Sequence, residues 1–381
     1  MADILRRFGD EFCENFRIPP EHGRILRHIE QCRTAALGGH MEQCDSCGHE
    51  RPVYNSCRDR HCPKCQTVAK EKWLAARKSE LLPVPYFHNV FTLPHELNTL
   101  ILENKRVMLG ILFRAVSETL LQFGRDRRSR LGGLVGFTLI LHTWNQKLLD
   151  HFHLHCVIPA GALSACGTKW IRTRHNDYLF SVLALSKVFR TRYLAHLREV
   201  FEERKLDLGT EGAEWFSNFI SELRTKEWIV YSKAPFGGPD KVLDYLGRYT
   251  HRVAISNHRI TEVSSNNVTY SCRDRDSGGV IPVTIPGQEF IRRFLLHALP
   301  SGFTRIRHYG FLSAKRKGFL LNKCRAALGQ QDTHKPCEKI TVESIFEKMG
   351  IDPNHCHICK EGRTRKIRDI PKIHWSFSDT S

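Results

Sequence analysis

Three histidines alternate with two apolar residues in the segment His151-Phe152-His153-Leu154-His155. In a β-strand, side chains at positions i, i+2 and i+4 project from one face, so this segment predicts a strand with its imidazoles on one side and a core on the other. A row of histidines fills a core poorly, because each buried imidazole needs a hydrogen-bond partner. A divalent metal explains the pattern better, since imidazole nitrogens are common ligands and three of them leave positions open for a substrate.

A third ligand can come from the segment before this strand. Two apolar stretches, Gly132–His142 and Phe152–Pro159, are separated by the polar segment Thr143–Asp150 and predict a β-hairpin. Such a hairpin would return His142 to the metal-binding face. We therefore predict that His142 joins two histidines of the strand, and the pattern leaves two competitors open, which are Gln146 and His151.

Cysteines form two CxxC pairs in the first 80 residues, Cys44 with Cys47 and Cys62 with Cys65. Four thiolates satisfy the tetrahedral preference of zinc, and this double-pair spacing is typical of structural zinc sites. We predict a single structural zinc bound by these four cysteines. The loop between the pairs holds two reserve ligands, which are Cys57 and His61.

A third CxxC pair, Cys356 and Cys359, lies near the end of the chain. One pair alone is weak support for a metal, so the sequence leaves open whether it is half of a second zinc site, with Cys324 or Cys337 as partners. The remaining cysteines are expected to be ordinary small buried residues; they are Cys13, Cys32, Cys156, Cys166 and Cys272.

The chain is strongly basic. Its 381 residues include 58 Lys and Arg against 40 Asp and Glu, a net charge of +18, which favours a polyanionic partner such as nucleic acid. No stretch approaches 18 consecutive apolar residues, and the first residues lack an apolar signal core. We therefore expect no membrane partner and a cytoplasmic location.

Two tyrosines, Tyr245 and Tyr249, lie four residues apart in a segment that predicts a helix. Residues at this spacing share one face of a helix, and Arg248 and Arg252 form a neighbouring row suited to phosphate groups. On its own, such a tyrosine pair is more typical of core packing than of catalysis. Beside a bound metal, however, a tyrosine can attack a phosphodiester and form a covalent phosphotyrosine.

These segments together resemble the HUH superfamily of single-strand DNA endonucleases, and most closely the two-tyrosine transposases of rolling-circle insertion sequences. One departure is Phe152, since the family often has proline between the first two histidines, and this leaves the role of His151 open. The resemblance is distributed over five segments in the family's order, namely Tyr54–Gln66, Leu141–Gln146, His151–Leu163, Phe236–Ile260 and Phe290–Leu312.

The resemblance implies an α+β fold, in which a palm-like antiparallel sheet with flanking helices is preceded by a small zinc-knuckle domain. It implies that His153 and His155, on the central strand, bind catalytic Mg²⁺ or Mn²⁺ and that Tyr245 and Tyr249 are the nucleophiles. The implied substrate is single-stranded DNA at the ends of a mobile element, cleaved and transferred through 5′-phosphotyrosine intermediates in rolling-circle transposition by a nucleoid-associated bacterial protein.

We accordingly divide the chain into a helical and zinc-binding DNA-binding domain (1–82), a catalytic nuclease domain (83–262) and a basic C-terminal DNA-binding region (263–381). In the last region, cations interleave with aromatic residues, a pattern that suits single-stranded DNA and equally a solvated surface. The predicted DNA contacts in this region are Arg292, Arg293, Arg305 and Arg307, and they add to Arg248 and Arg252 of the catalytic domain.

Two other functions fit part of the sequence. A non-catalytic zinc-finger regulator would explain the charge and the cysteines but gives the histidines and tyrosines no role. A hydrolytic metalloenzyme would use the histidines to activate water and needs a nearby carboxylate base, for which Asp150 is the close candidate. The sequence indicates no oligomeric state.

Overall fold

The structure is a computed structural model that describes residues 1–129, 131–173, 177–233, 241, 243, 247, 254–274, 277–330, 341–348, 350 and 352–373. In chain order its described helices and strands are α1 (Ala2–Asn15), α2 (Pro20–Gln31), β1 (Gly39–Cys44), β2 (Glu50–Tyr54), α3 (Gln66–Lys78), β3 (Tyr86–Thr92), α4 (Asn98–Glu103), α5 (Lys105–Arg125), β4 (Gly136–Trp144), β5 (Asp150–Pro159), β6 (Gly161–Leu163), β7 (Trp170–Arg172), α6 (Val182–Glu202), α7 (Ala213–Thr225), β8 (Val230–Lys233), β9 (Ile260–Val263), β10 (Asn267–Arg273), β11 (Val280–Pro286), α8 (Gly287–Leu296), β12 (Ile306–Gly310), α9 (Lys317–Ala327), α10 (Val342–Lys348) and β13 (Thr364–Ile370).

A five-stranded antiparallel sheet forms the centre of the fold, in the order β12-β4-β5-β3-β8. The histidine strand β5 is its middle strand, and β4 and β5 form the predicted hairpin. In that hairpin His142 lies opposite His153, and Ile140 lies opposite His155. The predicted α+β fold class, with a palm-like antiparallel sheet and flanking helices, is confirmed.

One face of this sheet packs against the helices α5, α6 and α7. Alternation places Phe152 and Leu154 on this side, in a core with Leu112 and Phe189. By length and composition alone, α5 could cross a membrane, but it is a core helix here, mostly buried under the sheet. The apolar residues of β5 therefore have the role that the sequence predicted for them.

The other face carries the histidines and a smaller core. Val157 packs there with Phe311 and with Leu321 of α9. Leu243, whose backbone is helical, is buried beside Val157, and a Cβ added to Gly247 would lie 2.7 Å from a methyl group of Leu74 in α3. Leu243 therefore lies on the histidine side of the sheet, and Gly247 lies against α3.

A second core joins the first two helices of the chain to residues 254–298. Helices α1, α2 and α8 pack with the three-stranded sheet β11-β10-β9, with Phe8, Tyr270 and Phe290 among its buried aromatic residues. A Cβ at Gly287, the first residue of α8, would lie 2.3 Å from the Phe8 ring, so α1 and α8 approach closely. The thiols of Cys32 and Cys62 are buried in this core.

The third sheet has the order β13-β1-β2. Its strand pairing runs from Gly39 opposite Ile370 to Cys44 opposite Thr364, so the C-terminal strand joins the N-terminal hairpin. The pairing of β1 with β13 and the contact of α1 with α8 both connect the first predicted domain to the third. The domain boundaries after residues 82 and 262 stay predictions.

Candidate catalytic metal site and cysteine clusters

Three predicted ligands converge on the histidine side of the central sheet. His142, His153 and His155 each place a ring nitrogen within 4.8 Å of the others, and their exposed fractions are 3, 7 and 8%. Nε2 of His155 lies 3.1 Å from Nε2 of His153 and 3.1 Å from Nδ1 of His142. The hairpin register produces this histidine cluster, because His142 and His153 are directly opposite and His155 follows on the same face.

The surroundings prepare these rings to act as ligands. Burial, with the neighbouring rings of His142 and His153, holds the pKa of His155 well below its ordinary value, so this imidazole is neutral near pH 7. Nδ1–H of His153 donates to the backbone carbonyl oxygen of His151 at 2.9 Å, which leaves Nε2 of His153 for the cluster. A neutral ring with a free lone pair is the form that binds a metal.

Of the three candidates for the third ligand, His142 is the one that lies in the cluster with His153 and His155. The ring of His151 lies on the same side of β5, 4.7 Å from the ring of His153, but its contribution at the cluster is the backbone carbonyl that orients His153. Gln146 lies in the turn of the hairpin, where its backbone carbonyl accepts a hydrogen bond from Arg259.

The sequence analysis missed His88. This residue lies on β3, and its Nε2 is 2.8 Å from Nδ1 of His155. Burial lowers the pKa of His88 to about 4, so its ring is neutral and its Nε2 can accept a hydrogen bond from Nδ1–H of His155. That hydrogen bond fixes the tautomer of His155 with Nε2 directed into the cluster, as partners behind metal ligands commonly do. A single histidine in an apolar strand gave no signal for this role.

Asp150 lies on the wrong side of the sheet to serve as a base at the histidine cluster. It shares the alternation of Phe152 and Leu154, whose side chains enter the helix-covered core. Burial raises its pKa, and the opposing positive charges near it are Lys105, at the start of α5, and Arg292. The hydrolytic interpretation therefore loses the carboxylate that it required.

The predicted nucleophiles Tyr245 and Tyr249, and the predicted phosphate contacts Arg248 and Arg252, lie outside the described residues. Their roles stay predictions.

The cysteines form two clusters instead of the predicted single site. The inner cysteine cluster consists of Cys32, Cys57, Cys62 and Cys65, and the terminal cysteine cluster consists of Cys44, Cys47, Cys356 and Cys359. Within each cluster the four sulfur atoms lie within 4.8 Å of one another. The prediction of one site made of Cys44, Cys47, Cys62 and Cys65 is therefore wrong. Cys44 and Cys47 lie at the turn of the β1–β2 hairpin, whereas Cys62 and Cys65 lie in the segment after the hairpin and pack beside α2.

The inner cysteine cluster includes one reserve ligand and one residue that the sequence analysis assigned to ordinary burial. Sγ of Cys65 lies 3.5 Å from Sγ of Cys57 and 3.5 Å from Sγ of Cys32. Sulfur atoms bound tetrahedrally at a zinc–sulfur distance of about 2.3 Å lie about 3.8 Å apart, close to these values. Hydrogen bonds from the Cys57 thiol and from backbone N–H groups lower the pKa of Cys62 to about 5, which favours the ligating thiolate.

The other reserve ligand, His61, has a different role. Its Nδ1 is 2.9 Å from a carboxylate oxygen of Asp59, and its Nε2 accepts the backbone N–H of Leu299 at 3.4 Å. Both ring nitrogens are therefore used to join the inner cluster loop to the segment after α8. Cys324, a suggested partner of the last CxxC pair, lies on α9 and is buried in the smaller core on the histidine side of the sheet, and Cys337 lies outside the described residues.

The predicted DNA contacts in the C-terminal region are used within the protein. Nε of Arg292 and Nε of Arg293 each lie 2.6 Å from the Glu289 carboxylate, and these bonds hold the pKa of Glu289 at about 2. The guanidinium of Arg307 lies 4.0 Å from the ring centroid of Phe113, and burial lowers the pKa of Arg305 to about 10. Their contribution to DNA binding stays a prediction.

Comparison with known families places these sites in context. Residues 136–318, which include all three clustered histidines, match a family described as "Putative transposase". Residues 4–93, which include the whole inner cysteine cluster, match the "Transposase zinc-binding domain" family of IS91-type elements. Together with the cysteine clusters, this second match supports structural zinc.

Two curated relatives span most of the chain. A protein of Sinorhizobium fredii described as "Putative transposase y4qJ" is 44% identical over 376 residues, covering 95% of this chain and 93% of the relative. The transposase for insertion sequence element IS801 of Pseudomonas savastanoi pv. phaseolicola is 29% identical over 345 residues, covering 86% of this chain and 79% of the relative.

Among solved structures, the copper-bound conjugative relaxase TrwC in complex with oriT DNA aligns with 60% of this chain and 94% of that chain, at 14% identity and a TM-score of 0.25. A TM-score this low supports no statement about this chain. The family matches and the 44% identical relative, which extends over almost the whole sequence, are decisive without it. The chain belongs to the HUH two-tyrosine transposases that carry an N-terminal zinc-binding domain, the family of the IS801 and IS91 insertion sequences.

Proposed function

We propose that this transposase cuts and joins single-stranded DNA at the ends of its mobile element by metal-dependent transesterification, acting in the cytoplasm on cellular DNA. The observation that carries the proposal is the histidine cluster on the central strand. Its three imidazoles come from the same face of one hairpin, so a divalent metal held there would be bound from one side and could also bind phosphate oxygens of the DNA.

The donor set fits a divalent cation held by the protein from one side. His142, His153 and His155 would hold Mg²⁺ or Mn²⁺, which would withdraw charge from a phosphodiester bound there. Nitrogen donors are softer than the oxygen donors that Mg²⁺ prefers, so Mn²⁺ is the better match to this set. The chain's own contribution is to keep His155 neutral through burial, and to orient the rings of His153 and His155 through their hydrogen bonds to the His151 carbonyl and to His88.

We propose Tyr245 and Tyr249 as the two nucleophiles. A phenolate oxygen attacks phosphorus, the bond from phosphorus to the 3′ oxygen breaks, and that oxygen takes up a proton, giving a 5′-phosphotyrosine and a free 3′-hydroxyl. The phosphodiester energy is kept in the covalent link, so strand transfer needs no ATP. The family motif and the burial of Leu243 on the histidine side of the sheet support this assignment.

The decisive experiment detects the covalent link. Single-stranded oligonucleotides that span each end of the element, with a 3′-bridging phosphorothiolate at each candidate phosphate, are incubated with the protein and Mn²⁺ and separated on a denaturing gel. We expect a protein–DNA adduct that persists after denaturation, and mass spectrometry of its peptides names the attacking tyrosine. Tyr245→Phe and Tyr249→Phe together should abolish the adduct.

The same experiment separates the two rival functions. A non-catalytic regulator would bind the oligonucleotides but form no adduct. A hydrolytic metalloenzyme would release free 5′ ends and would keep its activity when both tyrosines are phenylalanine. Either result would overturn the proposed mechanism while leaving the family membership intact.

A further inference from the structure

We infer that the terminal cysteine cluster is a second zinc site, which ties the last part of the chain to the β1–β2 hairpin. Sγ of Cys44 lies 3.7 Å from Sγ of Cys359, and Sγ of Cys47 lies 3.8 Å from Sγ of Cys356. These separations equal the spacing of about 3.8 Å expected for sulfur atoms arranged tetrahedrally around zinc. They are far longer than the disulfide distance of about 2.05 Å, and all four cysteines are free thiols.

The two halves of this cluster have the same backbone geometry. After the first pair, the N–H of Gly48 donates to the carbonyl of Cys44 at 3.1 Å; after the second, the N–H of Lys360 donates to the carbonyl of Cys356 at 3.0 Å. Both donors have positive φ, +73° at Gly48 and +59° at Lys360. A lysine in this conformation is costly, and such strain persists where the surroundings fix it. Matched turns that each present two thiols are the form of zinc knuckles.

The contact between the two turns is close and directional. Gly362 donates its N–H to Sγ of Cys359 at 3.3 Å, and a Cβ at Gly362 would lie 2.5 Å from Sγ of Cys44. The absence of a side chain at position 362 is therefore what lets the second turn approach the first.

Apolar burial does not account for this junction. In the part of the chain that the structure describes, no residue of β1, β2 or β13 belongs to any of the three apolar cores. Along β13, Thr364 is buried, whereas residues 365–369 are all exposed. A small sheet without a core needs another source of free energy, and metal binding is the usual one.

The site goes beyond the zinc-binding domain of the family. That domain matches residues 4–93, and neither family match reaches Cys356 or Cys359. The second zinc would therefore need ligands from the C-terminal segment as well as from the β1–β2 hairpin. It would hold residues 352–373 against this hairpin, which precedes the loop of the inner cysteine cluster. Loss of this metal should release β13 and leave the three cores folded.

The test measures zinc and local protection in the full chain. By elemental analysis we expect two zinc ions per chain in the wild type and one in Cys356→Ser/Cys359→Ser, whereas Cys166→Ser, which removes an exposed thiol outside both clusters, should keep two. In hydrogen–deuterium exchange, the amides of β13 should lose protection in the double variant and those of α5 should keep it.

A wild-type experiment covers the case in which the double variant does not fold. Graded chelation of the intact protein should release one zinc first, and exchange at residues 364–370 should rise together with that release. A single zinc in the wild type, two zinc ions in the folded double variant, or release of one zinc with β13 still protected would each overturn the second site.

Discussion

The histidine cluster and the terminal cysteine cluster differ in how their ligands are brought together. The three histidines come from one hairpin, residues 142–155, whose register and two packed faces fix their positions without any metal. The terminal cluster joins Cys44 and Cys47 to a pair more than 300 residues away, through strands that belong to no apolar core. In the first site the fold positions the metal ligands, whereas in the second the inferred zinc would hold one strand of a small sheet in place.

The consequence is that metal removal should act differently at the two sites. Emptying the histidine cluster should stop chemistry and leave the structure intact. Removing the metal from the terminal cysteine cluster should detach β13 and leave the catalytic activity of the histidine cluster intact. The four predictions that follow test this contrast, and they begin with the largest expected effect.

Replacing a clustered histidine should remove activity with little loss of structure. In His155→Ala, the rate of adduct formation with Mn²⁺ should fall at least about a hundredfold, since a bound metal supplies several kcal/mol of stabilisation to the reacting phosphate. Zinc content should stay at the wild-type value. The matched control is His151→Ala, which removes a ring outside the cluster but keeps the backbone carbonyl that orients His153. Adduct formation by His155→Ala at the wild-type rate would show that the cluster has no catalytic metal.

His88 should tune the affinity of the same site. Without the partner for Nδ1 of His155, the ring loses its fixed tautomer, and His88→Ala should weaken Mn²⁺ binding by about 10–100-fold. The adduct rate at saturating Mn²⁺ should recover most of the wild-type value, because the three ligands remain. His308→Ala is a matched control, since His308 is another histidine of this sheet, half-buried, with a pKa that burial also lowers to about 4. Calorimetric titration that gives His88→Ala the wild-type affinity would contradict the positioning role.

The stability of the protein around the hairpin that carries the histidine cluster should depend on pH through the titration of His297. Its Nε2–H donates to the carbonyl of Leu148 at 3.1 Å and its Nδ1 is 3.3 Å from the Thr143 hydroxyl, so this ring joins α8 to the β4–β5 turn. Burial lowers its pKa to about 4, below the value of about 6.5 in the unfolded chain. The unfolded state therefore binds more protons between these pH values, and stability is present above pH 6.5 and is lost as the pH falls toward 4.

For this one residue the loss between pH 7 and pH 5 should be about 2 kcal/mol in the free energy of unfolding. Urea titrations at the two pH values measure it, and His297→Gln should show a smaller difference than the wild type. An equal difference in both proteins would mean that His297 does not titrate across this range.

Local patterns were sufficient to predict one site and not the other. His142 could be named as the preferred third ligand, with Gln146 and His151 left open, because a short hairpin has few registers and alternation in β5 decides which face each side chain takes. The CxxC pairs carry no comparable information, since the Cys44 pair and the Cys62 pair look alike and only the three-dimensional fold decides which cysteines each pair meets. Cys32 had no signal, because it is a single cysteine after a helix.

Two further outcomes have equally local reasons. His88 was missed because a lone histidine in an apolar strand is usually a core residue with a satisfied ring. Arg292 and Arg293 were assigned to DNA, although they lie three and four residues after Glu289, a spacing that predicts ion pairs on a helix. The sequence pattern predicted the type of site, and non-local contacts determine which residues come together in it.

The smallest predicted effect tests the close approach within the terminal cysteine cluster. Gly362→Ala would place a methyl group 2.5 Å from Sγ of Cys44, so the two turns must move apart, and the affinity for the second zinc should fall by about tenfold, equivalent to about 1.4 kcal/mol. Gly318→Ala is the matched control, because nothing lies within 4 Å of its added carbon and alanine favours the helix α9. Competition with a chromophoric chelator measures both affinities. Equal zinc affinities of the two variants would mean that the two turns are not in close contact and that zinc binding does not depend on their approach. If Gly362→Ala alone has a lower zinc affinity and its rate of adduct formation is unchanged, the terminal cysteine cluster can be perturbed without affecting the histidine cluster, as the contrast between the two sites requires.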